Sequence, residues 1–233
     1  MFWRNPLSRF PAAGSVIVLI VSILTLLGMV ALFSASQAMH SNPITLLSKQ
    51  IIWLGISLFI GFFVLKLDLE KIRPLIPYIS IGALLMLLLV LVPGIGVRVN
   101  GAQRWIDFGF MRLQVSEIGK IGLLLSLAHY LTIYRRDLGD FLKGFVLPFL
   151  ILGVYVALIF LEPDFGTAFL CGLVGSILFL VSGIRLKFLI PTSLLSLGLF
   201  VLAILNNPER LSRITSFLDV EANRSDSGYQ LWQ

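Results

Sequence analysis

Cysteine is almost absent. Cys171 stands alone in 233 residues, so no intrachain disulfide framework and no cysteine-rich metal site can form. Histidine is nearly as scarce, with only His40 and His129, which argues against a histidine-based zinc site. Charge is thin as well: 13% of residues are Asp, Glu, Lys or Arg, about half the ~25% usual in soluble domains. Apolar residues fill the space, at 58% of the chain with a mean hydropathy of +0.96. A soluble domain of this size has no use for that much apolar surface, whereas a membrane-embedded helix bundle does. The net charge of +6 does not point to nucleic acid. The basic residues fall in short gaps between apolar runs, where they mark membrane topology.

These runs predict an all-α, polytopic membrane protein of about seven helices. Residues 1–14 read as a cytoplasmic lead. Spans are expected near Ser15–Ala35, Leu47–Leu65, Leu75–Val92, Val115–Tyr134, Phe145–Leu161, Thr167–Ser182 and Phe188–Leu205, each long enough at about 1.5 Å per residue to cross a bilayer. The first run is too long for a signal peptide and further spans follow, so it reads as a retained helix. The bundle occupies 15–205, with a polar loop over 94–115, and residues 206–233 read as an extramembrane segment. Arg4, Arg9, Lys66, Lys71, Arg73, Arg135, Arg136, Lys143, Arg185 and Lys187 share one side. Their modest excess places the amino end in the cytoplasm and both the loop and the tail outside it. Gly28, Gly55, Gly172, Gly175 and Ser176 are candidates for close helix packing.

The polar island NGAQRWIDFGFMRLQVSEIGK, residues 100–120, is charged where charge is costly. Glu117 and Lys120 stand three apart on one helix face. They suit either a polar cavity or a structural ion pair near the interface. Arg104 offers a donor fork for phosphate and Trp105 a flat face for sugar or a lipid stem; the alternative is an interfacial anchor. Gly94, Gly96, Gly101 and Gly109 lack the strand–loop–helix setting and the GK[ST] ending of a nucleotide site. In LEPDFGT, Asp164 caps the sixth helix or serves a ligand. The tail mixes Arg210, Arg213 and Arg224 with Asp219, Glu221 and Asp226, the usual pattern of a solvated loop. His129 and Cys171 read as packed bystanders, His129 bonded to a backbone carbonyl.

Three motifs in order resemble those of the FtsW/RodA/SpoVE (SEDS) family, with a tilt toward the FtsW branch. NGAQRWIDFG…LQVSEIGK is similar to NGA-x-RW-I-x-LG…QPSE-x-x-K, LEPDFGTA to QPD-x-GTA, and RLSRITSFLD…GYQLWQ to a loop segment ending in GYQ-x-x-Q. The resemblance implies a peptidoglycan glycosyltransferase that polymerises lipid II during division or wall growth. The 4-hydroxyl of an incoming GlcNAc attacks C1 of the MurNAc at the end of the undecaprenyl diphosphate-linked glycan, and undecaprenyl diphosphate leaves. It also implies a bacterial cytoplasmic (inner) membrane location, a class B penicillin-binding protein as partner, and other division or elongation proteins nearby. Arg104, Trp105, Glu117, Lys120, Asp164, Arg210 and Arg213 are then substrate-binding candidates. A divalent cation, Mg or Mn, fits the chemistry, with no ligand set visible.

Four departures accompany the resemblance. Val115 replaces Pro and Glu162 replaces Gln. Asn223 aligns with the family's loop Asp, and an amide cannot act as a general base; Asp226 or Glu221 would have to substitute. The chain also stops about three spans short of the family's usual ten. Two other functions suit the same features: a lipid II transporter (flippase), or a catalytically inactive scaffold of the division machinery.

Overall fold

A computed structural model describes residues 11–39, 43–99, 101–109, 111–206 and 211. The described residues divide into two compact units, Met1–Leu69 and Glu70–Gln233. Among the described residues, six helical segments are long and apolar enough to cross a membrane: Gly14–Gln37, Ile44–Leu65, Leu69–Val90, Leu142–Leu161, Phe165–Ser182 and Leu186–Leu205. The chain is a polytopic helical membrane protein.

The first unit holds two helices, α1 (Pro11–Met39) and α2 (Pro43–Leu65), packed against each other. Pro43 opens α2, where its missing N–H costs nothing. Helix α1 runs past the expected Ala35, and Ser36 turns its hydroxyl back onto the Phe33 carbonyl at 2.8 Å. Ser22 and Thr25 do the same with Val18 and Val21, so these hydroxyls enter an apolar setting already satisfied.

The second unit begins at Glu70, within a short helix, α3 (Leu69–Ile72), and continues through a 3-10 turn at Pro74 that leads into α4 (Ile76–Val90). After a small sheet come α5 (Val115–Ile133), α6 (Leu147–Leu161, entered through a π turn at Leu142–Val146), α7 (Phe165–Ser182) and α8 (Leu186–Leu205). Helix α5 is the hub. It packs on α4, α6 and α7 and buries Val115, Ser116, Gly119, Gly122, Leu123, Ser126, Leu127 and Leu131. With protein on several sides, it carries Glu117 and Lys120 that a lipid-facing helix could not. It is the fourth of the spans expected from the sequence, and its polarity sets it apart from the six above.

Close approach of α5 depends on two glycines that the sequence did not single out. A Cβ on Gly122 would lie 2.5 Å from the Ala83 Cβ, and one on Gly119 would lie 3.1 Å from the Leu87 side chain. Of the glycines expected to mark packing, Gly175 does so: a Cβ there would lie 2.6 Å from the Leu152 side chain. Gly28, Gly55 and Gly172 do not; a Cβ there meets nothing within 4 Å. Ser176 bonds to the Gly172 carbonyl of its own helix at 2.8 Å. A hydroxyl cluster ties α4, α5 and α6 together: Ser126 Oγ donates to Ser80 Oγ at 2.7 Å, and Tyr155 OH lies 2.9 Å from Ser80 Oγ.

Residues 94–115 are not an irregular loop. They contain a three-stranded antiparallel sheet, β1 (Gly96–Val99), β2 (Ala102–Asp107) and β3 (Arg112–Gln114), in the order β1-β2-β3. Val99 pairs with Ala102 and Trp105 with Gln114. Gln103 clips the sheet to the end of α4, donating to the Val90 carbonyl at 3.0 Å, one of the helix-terminal acceptors that lack an intrahelical partner. Gly96 must be glycine here, because a Cβ would sit 1.9 Å from that carbonyl oxygen.

Candidate functional site at the sheet rim

Asp164 is the focus. It lies in the turn between α6 and α7, where its Oδ1 accepts from the Thr167 N–H at 3.3 Å and caps α7. Its other oxygen, Oδ2, accepts from Ser116 Oγ at 2.8 Å and Gln114 Nε2 at 3.0 Å. Arg104 Nη1, from β2, stands 3.4 Å from Oδ1. Asp164 is 5% exposed, so these donors replace water. Of the two roles the sequence leaves open, the cap is realised, and the same carboxylate also holds the Arg104 guanidinium.

The sequence-predicted residues divide into three groups. Arg104 and Asp164 come together as just described. Arg104 Nε and the neighbouring Trp105 Nε1 are buried without an acceptor among the described residues. Glu117 and Lys120 pair with each other at 2.8 Å on the next turn of α5; Lys120 is the more sheltered, at 27% side-chain exposure against 57%. Arg210, Arg213, Glu221, Asn223 and Asp226 lie outside the described residues.

Glu162 belongs to this site, although the sequence marks it only as a departure. It is fully buried, and neither carboxyl oxygen has a hydrogen-bond partner among the described residues. Burial pushes its carboxyl up to about 8; the Asp164 charge adds to the rise and Arg104 opposes it. Gln114 and Ser116 were missed as well. Both stand inside the island, but only the fold reveals that they face residue 164. At the edge of the sheet, Asp107 accepts from the Gly109 N–H at 2.8 Å and from Arg112 at 2.9 Å. The Gly109 N–H, then Arg112, hold its carboxyl below the usual range. His129, expected to bond a backbone carbonyl, has its Nδ1 buried without a partner among the described residues. Among those residues no three His, Cys, Asp or Glu side chains gather to hold a metal ion.

At the opposite end of the second unit, Lys143 pairs with Asp137 at 2.9 Å. Asp140 accepts from the backbone N–H groups of Leu142 and Lys143, which lower its carboxyl, Lys143 most. Arg135, Arg136, Arg185 and Lys187 are exposed there.

A family model described as "Cell cycle protein", that of FtsW, RodA and SpoVE, matches residues 15–233. The chain belongs to the FtsW/RodA/SpoVE family. It is 36% identical over 222 residues to the probable peptidoglycan glycosyltransferase FtsW of Coxiella burnetii, covering 93% of this chain and 59% of that protein. The rod shape determining protein RodA of Thermus thermophilus superposes with a TM-score of 0.64 at 30% identity, over 82% of this chain and 58% of RodA. A chain from a peptidoglycan synthase complex that coordinates polymerization and crosslinking gives 0.58 at 29% identity, over 85% of this chain and 58% of its own length. The chain thus spans about three fifths of the length of these relatives. Arg104, Trp105 and Asp164 fall within two of the motifs that carry the family resemblance, and the fold brings those motifs into contact.

Proposed function

We propose that this chain supplies the substrate-gripping part of a peptidoglycan glycosyltransferase, a lipid II polymerase working at the outer face of the bacterial cytoplasmic membrane. The observation that carries the reading is the Arg104–Asp164 link. It fixes a guanidinium at the rim of a membrane bundle and leaves Arg104 Nε and Trp105 Nε1 free of acceptors among the described residues.

The reaction asks the protein for two services. The departing undecaprenyl diphosphate gains negative charge as the C1–O bond breaks, so fixed cations beside it lower the barrier. Arg104, oriented by Asp164, and Lys120, sheltered on the adjacent helix, are suited to that task. Trp105 offers an apolar face for the sugar or lipid stem. The attacking 4-hydroxyl must lose a proton to a base. That role falls to the tail, on Asp226 or Glu221 if Asn223 occupies the family position, with Arg210 and Arg213 as further phosphate partners. The described residues offer no ligand set for Mg or Mn.

The amino end is proposed to be cytoplasmic. In support, Asp137 and Asp140 are engaged at the α5–α6 connector, leaving the exposed Arg135, Arg136, Arg185 and Lys187 as the excess positive charge that favours the cytoplasmic side. A class B penicillin-binding protein is the proposed partner, supported by the likeness to a chain of a synthase complex.

The test uses the purified full chain and fluorescent lipid II. Glycan polymer formed without a second enzyme, and reduced at least tenfold in Arg104→Ala, supports the reading. Movement of lipid II across vesicles without polymer supports a transporter and overturns it.

A further inference from the structure

The Glu162–Pro163–Asp164 turn presents two carboxyls in opposite settings. Among the described residues Asp164 accepts from three donors, Ser116, Gln114 and the Thr167 N–H, and pairs with the Arg104 guanidinium. Glu162, two residues earlier, is fully buried with no donor on either oxygen among the described residues. A buried carboxylate without donors is costly, and a neighbouring carboxylate raises the cost. Carboxyl pairs whose environments diverge this far divide into one anion and one acid.

We infer that Glu162 is a positioning residue that carries a proton at neutral pH, and that this proton keeps the Arg104–Asp164 pair in place at the rim. Among the described residues, two charged groups act on Glu162: Asp164 on the following turn and Arg104 from β2. The charged pair of α5, Glu117 and Lys120, is closed on itself. With Glu162 neutral, Arg104 has a single anion to answer and lies against Asp164. When Glu162 ionises, a second negative charge appears beside the first with no donor among the described residues. The guanidinium is then drawn from Asp164 toward Glu162, and the β2 strand that bears Arg104 and Trp105 shifts with it. Burial raises the affinity of Glu162 for its proton, which places the change in the mildly alkaline range.

The inference rests on the proposed function only for its consequence at the substrate rim; its test needs no turnover. Difference infrared spectroscopy of the purified full chain, titrated from pH 5 to pH 10, reads the carboxylic C=O band directly. The band expected for wild type persists through pH 7, is lost around pH 8, and is missing from Glu162→Gln. A second measurement reads the rim: Trp105 fluorescence in a chain whose other tryptophans, Trp3, Trp53 and Trp232, are changed to Phe. Its emission should shift over the same pH range, and adding Glu162→Gln should abolish the shift. Loss of the band below pH 6, or no difference between wild type and Glu162→Gln at pH 7, overturns the protonated state. A band that titrates as expected while Trp105 stays silent overturns the positioning role. Failure to polymerise lipid II with both titrations present would count against the proposed function and leave this inference standing.

Discussion

Asp164 meets partners from four elements, three as hydrogen-bond donors and Arg104 as an ion pair, so its charge is the most connected feature of the rim among the described residues. Asp164→Asn keeps the shape but turns one acceptor oxygen into a donor facing Ser116, Gln114 or Arg104. Hydrogen bonds to charged groups contribute about 1.5–3 kcal/mol each, so a loss of roughly 3 kcal/mol is expected in detergent unfolding, with Arg104 released. Arg104→Lys should retain part of that stability but lose the fork proposed to grip phosphate, a split visible as near-native melting with weakened lipid II binding. Glu162 makes the opposite pH prediction to an ordinary salt-bridged acid. Its folded value, about 8, lies above the reference 4.5, so between these values the folded chain holds a proton that the unfolded chain has released. The stability this proton confers is complete below about 4.5, declines as pH rises, and is gone above about 8. The Tm of wild type should therefore fall relative to Glu162→Gln across that window and run parallel outside it. Arg104, Trp105 and Asp164 could each be picked from the sequence by chemical character. Their union could not, because Ser116 and Gln114 meet Asp164 across 48 and 50 residues, and nothing local encodes that meeting.

At the scale of elements, the helices were legible and the sheet was not. Apolar runs of span length announce themselves, and observed helix ends fall within a few residues of those expected. The strands are only 4, 6 and 3 residues long, too short for alternation to emerge from a polar stretch. One signal was nonetheless present: the Asn-Gly dipeptide at 100–101 between Val99 and Ala102, the usual mark of a two-residue hairpin. Gly101, at φ +80°, fits it. Two substitutions probe the α5 interfaces. Gly122→Leu drives a side chain into Ala83 and Tyr155 and should cost about 1–3 kcal/mol through overpacking. Tyr155→Phe removes a hydroxyl from the Ser80–Ser126 cluster and should cost about 1 kcal/mol per hydrogen bond lost. Thermal unfolding in detergent, followed by limited proteolysis, distinguishes them, since only the first separates α4 from α5 and opens their facing surfaces to protease.

At the scale of the molecule, opposite ends of the second unit should be reachable from opposite sides of the membrane. Cys171 is buried, so a cysteine introduced elsewhere is read against a quiet background. In intact cells an impermeant maleimide should label Phe108→Cys, in the exposed turn after β2. It should spare Arg136→Cys until the membrane is opened; the reverse pattern would invert the topology. The clasp at Asp164 also sets an order of assembly. As the chain is made, α4, the sheet and α5 are complete while the residue that fastens them is still unsynthesised. Arg104, Gln114 and Ser116 must wait in the membrane interface until α6 has crossed and the turn before α7 emerges. Any pause or slip of α6 during insertion therefore leaves the rim unlatched until residue 164 arrives.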